Sequence, residues 1–160
     1  MQTTSKVFRT IVALLDKNHI TYTLFEHEPV FTSQDAAKIR QTKDTQGAKA
    51  LLFIADSKPI LIVLRGIDKV DTKLFKNTFK IKDLQFATKE EVVSITSVEI
   101  GAVPPFGNVM NILTYVDKHL VNEDEIAFNA GAHTKSIKMK MKDFLDVVKP
   151  TIGLITKEAA

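Results

Sequence analysis

A chain of 160 residues, 44% hydrophobic and 26% charged, has the make-up of an ordinary soluble globular protein, and the size prior makes residues 1–160 one domain. No apolar run approaches the roughly 18 residues of a membrane span, and the absence of cysteine excludes disulfides, thiolate catalysis and cysteine-based zinc sites. A net charge of +3 permits contact with RNA phosphates without the charge density of a dedicated nucleic-acid binder.

The first residues run straight into a helical pattern and lack the apolar core of a signal peptide, so a cytoplasmic protein is expected. Residues near 4 to 18 place Val7, Phe8, Ile11, Leu14 and Leu15 on one helical stripe. Thr3, Thr4 or Ser5 caps this helix, and Asn18 and His19 end it. Ile20, Tyr22 and Leu24 then alternate with threonines as a short strand, broken by His27-Glu-Pro29. Thr32 or Ser33 caps a second helix, with Asp35 near its positive end.

Ala50–Ala55 and Ile60–Leu64 are continuous apolar runs joined by the turn Asp56-Ser-Lys-Pro59, which reads as a hairpin buried on both faces. Lys49 stands just before the first run. Asp71 caps a helix through Leu74 and Phe75, and Leu84-Gln-Phe86 is a short strand. Thr88-Lys-Glu-Glu91 is a capping box for a helix over about 89 to 95. Val109 to Val116 reads as a strand, as does Glu125–Phe128. Ile137, Met139 and Met141 alternate with Lys138, Lys140 and Lys142, a half-buried strand with a basic outer face. Phe144, Val147 and Val148 mark a last helix, stopped by Pro150, and Lys157–Ala160 reads as a tail. Helices mixed with hairpins predict an α/β (α+β) fold: a single mixed, partly closed β-sheet surrounded by helices.

Few chemistries remain. The histidines His19, His27, His119 and His133 show neither HxxxH nor HExxH spacing, so no metal site is expected. There is no GxSxG elbow and no Walker or Rossmann glycine pattern, so no nucleotide or other cofactor is implied. Gly101-Ala-Val-Pro-Pro-Phe-Gly107 stands out. Its prolines fix the backbone and its glycines permit close approach, so it is either a rigid turn or a loop whose few amides bind a carbonyl or an anion. Lys49 is either a solvated lysine or a cation at a site, and His133, beside Asn129, Thr134 and Ser136, is either surface or part of a binding turn. Such a set suits electrostatic and proximity catalysis, or plain binding.

Four pieces in order resemble the YbaK/EbsC family, free-standing relatives of the editing insertion of bacterial prolyl-tRNA synthetase. They are Phe25–Ala37, Gly47–Phe53, Glu91–Gly107 with its GxxxP loop, and Phe128–Ile137, within a core of about 20–148. The resemblance implies hydrolysis of the ester of mischarged aminoacyl-tRNA in trans, a second sieve where one pocket cannot reject a near-isostere. It implies that Gly101, Ala102 and Val103 form a backbone clamp on the aminoacyl ester, the two prolines leaving Ala102 and Val103 as its main donors. Lys49 would hold the terminal adenosine end through phosphate. Phe31, Thr32, Pro104, Pro105, Phe106, Asn129, Gly131, His133, Thr134 and Ser136 are the expected substrate-binding residues, with Ile39, Phe53 and Val63 further candidates for shaping the pocket. Water would attack with help from the substrate's own ribose hydroxyl, without a protein general base. The partners implied are the acceptor end of aminoacyl-tRNA and an aminoacyl-tRNA synthetase. The alternative is a catalytically silent module that binds aminoacyl-tRNA or a synthetase.

Overall fold

The computed structural model describes residues 5–30 and 32–157. Helix α1 spans Lys6–Lys17 and turns Val7, Phe8, Ile11 and Leu15 into the core. Ser5 is its cap, accepting from the Phe8 N–H at 3.0 Å; Thr3 and Thr4 lie outside the described residues. Asn18 closes the helix, and His19, at a left-handed φ of 55°, turns the chain into β1, Tyr22–Glu26. Thr32 caps α2, Ser33–Arg40, by accepting from the Asp35 N–H at 3.0 Å.

Strands β2, Ala48–Ala55, and β3, Lys58–Arg65, form the expected antiparallel hairpin. Its turn is tighter than the sequence suggests. Only Asp56 and Ser57 lie in it, both at positive φ, and the Asp56 carboxylate accepts from the Lys82 and Asp83 amides. Asp71 caps α3, Thr72–Phe79, and β4, Leu84–Phe86, adds antiparallel to β2. Helix α4, Lys89–Thr96, begins with the predicted capping box, Thr88 and Glu91 bonded in both directions.

Strand β5 covers Leu113–Asp117, not 109–116. A 3₁₀ turn at Gly107–Met110 takes the first part of the predicted strand. Gly107 lies so close to its surroundings that a Cβ would stand 2.0 Å from Thr114 Oγ1 and 2.4 Å from the Ile112 oxygen, so the chain folds back before it can extend. A short α5, Lys118–Val121, follows, then β6, Glu125–Ala132, and β7, Lys135–Lys140. β6 is longer than expected because an irregularity between Asn129 and Ala132 carries the pairing past the glycine. Met141 opens α6, Met141–Val148, instead of continuing the strand. After Pro150 comes β8, Thr151–Gly153, parallel to β5. It was not legible, since three residues carry no periodicity.

The strands form two sheets where the sequence predicts one: a five-stranded mixed ladder, β4-β2-β3-β5-β8, and a three-stranded antiparallel ladder, β1-β7-β6. A parallel bridge between Gly47 and Ala127 joins them at one corner. β3 is buried on both faces, as its unbroken apolar run predicts. Leu61 and Val63 enter the core shared with α1 and α6, while Ile60, Ile62 and Leu64 pack with Phe75 and Tyr115 beneath α3. No helix among the described residues is long and apolar enough to cross a membrane.

Candidate functional site

After α4, Ser97 takes a left-handed φ of 66° and releases the chain into an irregular loop. The Ala102 N–H donates back to the Glu99 oxygen at 3.0 Å, closing a tight turn with Gly101 at φ 86°. β6 then grips this turn by its carbonyls. The Gly131 N–H donates to the Ala102 oxygen at 3.0 Å, and Asn129 Nδ2 donates to the Gly101 oxygen at 2.8 Å. With its carbonyls held from one side, the turn's amides have a fixed orientation.

This corrects the expected donor set. The Ala102 amide is committed to Glu99, so it is not a free clamp donor. The amides of Gly101 and Val103 make no hydrogen bond among the described residues. Downstream the loop is structural: Val103, Pro104, Pro105 and Phe106 are buried, and the Phe106 ring packs on Phe128 and Phe144 at 5.3 and 5.6 Å in the core. Phe106 therefore presents no surface to a ligand. Phe53 and Val63 are likewise core residues, whereas Ile39 is half-buried. Phe31 lies outside the described residues.

The turn forms one lip of an open cleft of about 890 Å³. Gly101, Ala102, Asn129, Gly131, His133 and Thr134 line it together with Ser5, Pro29, Val30, Val93, Ser97, Val98, Glu99 and Ala132. Five predicted binding or clamp positions thus converge on a sixth, Gly101. His133 Nε2 stands 3.6 Å from Glu99 Oε2, so its ring spans the mouth between the β6–β7 turn and the α4 loop. Gly131, at φ 88°, passes directly under the start of α1; a Cβ there would stand 2.7 Å from Ser5 Oγ. Thr32 caps α2 and Ser136 is buried behind the cleft; neither lines it. A smaller concavity lined by Glu123, Asp124, Lys140 and Met141 among others holds none of the expected residues.

Lys49 is not among the lining residues either. Its ammonium donates to the Asp68 oxygen at 2.6 Å and the Gly66 oxygen at 3.4 Å, in the loop after β3. Burial pushes its amine below the ordinary value; the charge of Asp68 opposes that shift and Lys69 adds to it. The connection to the cleft runs through the backbone. Gly66 donates to the Gly47 oxygen, and Gly47 packs beside Arg40, whose guanidinium reaches Asn129. Arg40 is buried to 5% exposure and bonds Ser136 as well. Sequence reasoning passed over it, because a basic residue in the last turn of a helix is ordinarily a solvated complement to the dipole. Pro29, Val30 and Val93 were also missed; the exposure of Val93 shows only once the helix is placed.

Asp68, Asp117 and His119 bring oxygen and nitrogen atoms within 4.8 Å of one another. Those atoms are already engaged. Arg65 holds Asp68 through two bonds, and the buried Asp117 carboxylate accepts from the amides of His119, Ile155 and Thr156. The set works as a latch on the C-terminal segment up to the buried Thr156; the Lys157 N–H, at the start of the expected tail, donates to the Lys69 oxygen at 3.2 Å, and residues 158–160 lie outside the described residues.

With the geometry in view, comparisons place the chain among known proteins. A family model described as an aminoacyl-tRNA editing domain matches residues 27–147. The prolyl-tRNA editing protein ProX of Acetoanaerobium sticklandii is 28% identical over 149 residues, covering 88% of this chain and 90% of that protein. The multifunctional Ser/Thr-tRNA deacylase ProXp-y of Escherichia coli is 29% identical over 153 residues, covering 92% of each. A crystal structure assigned as a candidate trans-editing enzyme for prolyl tRNA synthetase superposes with a TM-score of 0.83 at 22% identity, over 98% of this chain and 100% of that one; it speaks for the fold.

Proposed function

The chain belongs to the aminoacyl-tRNA editing domain family and is a deacylase of mischarged aminoacyl-tRNA; we propose that it acts in trans, at the cleft between the Glu99–Val103 turn and the β6–β7 turn. The observation that carries this placement is the turn itself. Its carbonyls are held from behind by Asn129 and Gly131, while the Gly101 and Val103 amides are unspent. Of the two, Gly101 lines the cleft and Val103 lies one residue beyond the lining; the Gly101 N–H suits an ester carbonyl whose oxygen gains charge as water attacks, and one donor of this kind is worth about 2.7–4 kcal/mol in the transition state.

Among the described lining residues there is no strong nucleophile. Water, assisted by the ribose hydroxyl beside the ester, is the attacking species, and the protein contributes orientation and electrostatic stabilisation. Lys49, drawn towards Gly66 and Asp68, would turn to the phosphate of the terminal adenosine when the acceptor end enters, exchanging carbonyl bonds for a charged one. Thr32 and the α2 N-terminus beside Gly66 offer that phosphate a second contact. Ser97, Glu99, His133 and Thr134 make the lining polar, which favours a small hydroxyl-bearing amino acid of the kind that the ProXp-y relative's name carries.

The test is release of amino acid from tRNAs charged with serine, threonine, alanine and proline, with Lys49→Ala alongside. Wild-type protein is expected to discharge at least one of the small mischarged species, and Lys49→Ala to be slower by about 10- to 100-fold, the worth of one charged hydrogen bond. If every tRNA stays charged yet binds in a gel shift, the chain is a binding module and the deacylase reading fails.

A further inference from the structure

Arg40 is a buried cation with no acid to balance it. Among the described residues no carboxylate lies within ion-pair distance of its guanidinium. Charges are seldom buried in this way, because an apolar side chain of the same size fills the space at lower cost. Burial moves its pKa down to about 10, so it is charged at neutral pH. The guanidinium sits at the corner where the two ladders meet, against Gly47, where a Cβ would stand 3.5 Å from its Nη1.

Its bonds have a direction. Asn129 and Ser136 face each other across β6 and β7. Arg40 spans that pair, Nε donating to Ser136 Oγ at 2.9 Å and Nη2 to Asn129 Oδ1 at 3.0 Å. A guanidinium has donors only. The oxygen of the Asn129 amide must therefore face Arg40, and its NH2 must face the other way, where it meets the Gly101 oxygen at 2.8 Å. Ser136 Oγ, having accepted from Arg40, has its proton free for His27 Nε2 at 2.8 Å, and His27 Nδ1 then donates to the Glu28 oxygen at 2.7 Å.

We propose that Arg40 is a positioning residue for the ester clamp: it sets the flip of the Asn129 amide, which holds the Gly101–Ala102 peptide by its carbonyl and so fixes where Gly101 and its unspent N–H stand at the lip of the cleft. This rests on the deacylase reading for its catalytic consequence, but not for its geometry. Lysine does not replace arginine here, because one ammonium cannot hold the cross-strand pair in a fixed plane. The second tie, from Gly131 to Ala102, does not involve Arg40, so the loop stays attached when the arginine is removed.

The experiment compares Arg40→Met, Arg40→Lys and Asn129→Ala with the double variant Arg40→Met/Asn129→Ala. Arg40→Met is expected to fold and to keep its thermal midpoint within a few degrees. Its kcat on a mischarged tRNA falls about 10-fold or more while KM stays within about threefold, the pattern of an interaction made in the transition state. Asn129→Ala gives the same loss, the double variant loses no more than either, and Arg40→Lys does not rescue. In ¹⁵N NMR spectra the Asn129 side-chain pair and the Gly101 and Ala102 amides move in Arg40→Met. Losses that multiply in the double variant, or NMR signals unmoved by Arg40→Met, overturn the proposal. Should the wild type discharge no tRNA, the deacylase reading fails on its own and the NMR arm still decides the role of Arg40.

Discussion

The His133 ring covers Gly101: a Cβ added to Gly101 would stand 3.0 Å from His133 Cε1. Gly101 is also at φ 86°, where a side chain is strained whatever the space around it. Gly101→Ala is expected to cost about 1–2 kcal/mol of stability from the backbone alone. It also pushes the ring out of the cleft mouth, so deacylation falls further than stability does. Adding His133→Ala removes the clash but not the strained φ. Part of the activity should return while the melting temperature stays low. Equal recovery of both would mean that the ring contact, not the backbone, dominates.

Lys49 couples burial to pH. Its amine is held below its ordinary value of 10.5, chiefly by burial. Between the lowered folded value and the ordinary one, the unfolded chain binds more protons than the folded chain. Stability from this group therefore rises as pH rises through that window, and below it the folded state bears the cost of the buried charge. Lys49→Met removes the titration. Denaturant unfolding from pH 8 to 11 is expected to show wild type gaining on Lys49→Met as pH increases; parallel profiles would contradict the assignment.

Asp117 anchors the end of the fold. Its fully buried carboxylate accepts from Ile155 N–H at 2.8 Å, from Thr156 N–H at 3.2 Å and from His119 N–H at 3.1 Å. Asp117→Ala leaves these donors without a partner and is expected to cost about 2–4 kcal/mol. Asp117→Asn keeps one acceptor oxygen and should lose less. Amide exchange at Ile155 and Thr156 should accelerate in the alanine variant before the rest of the chain responds. Exchange that accelerates uniformly would show that the segment does not open on its own.

Much of the local structure was written in short-range chemistry. Thr88 with Glu91, Asp71 and Thr32 each announce a helix start, because a cap needs only a side-chain oxygen three residues before an unpaired amide. The apolar runs of β2 and β3 announce a strand pair buried on both faces. The misses have equally local causes. Gly107 packs so tightly against Thr114 and Ile112 that no side chain would fit, and there Val109 and Met110 enter a 3₁₀ turn despite a strand-like sequence. β8 has too few residues to show a pattern and exists because Asp117 holds the segment that follows it.

For the site, the residue types and their order along the chain pointed to Gly101, Asn129, Gly131, His133 and Thr134 as parts of one region, and the cleft has all five in its lining. What the chain alone determined was this short inventory, together with the lack of any thiol or recognised nucleophile motif to compete with it. What only the tertiary structure decided was which amides are left to act. The Ala102 amide is consumed by Glu99, Phe106 is drawn into the core, and a buried Arg40 on a different helix orients Asn129 behind the loop. The Glu99–Ala102 bond is a local turn that carries no motif, whereas the ties of Asn129 to Gly101 and to Arg40 span 28 and 89 positions, and no local pattern encodes a hydrogen bond of that span.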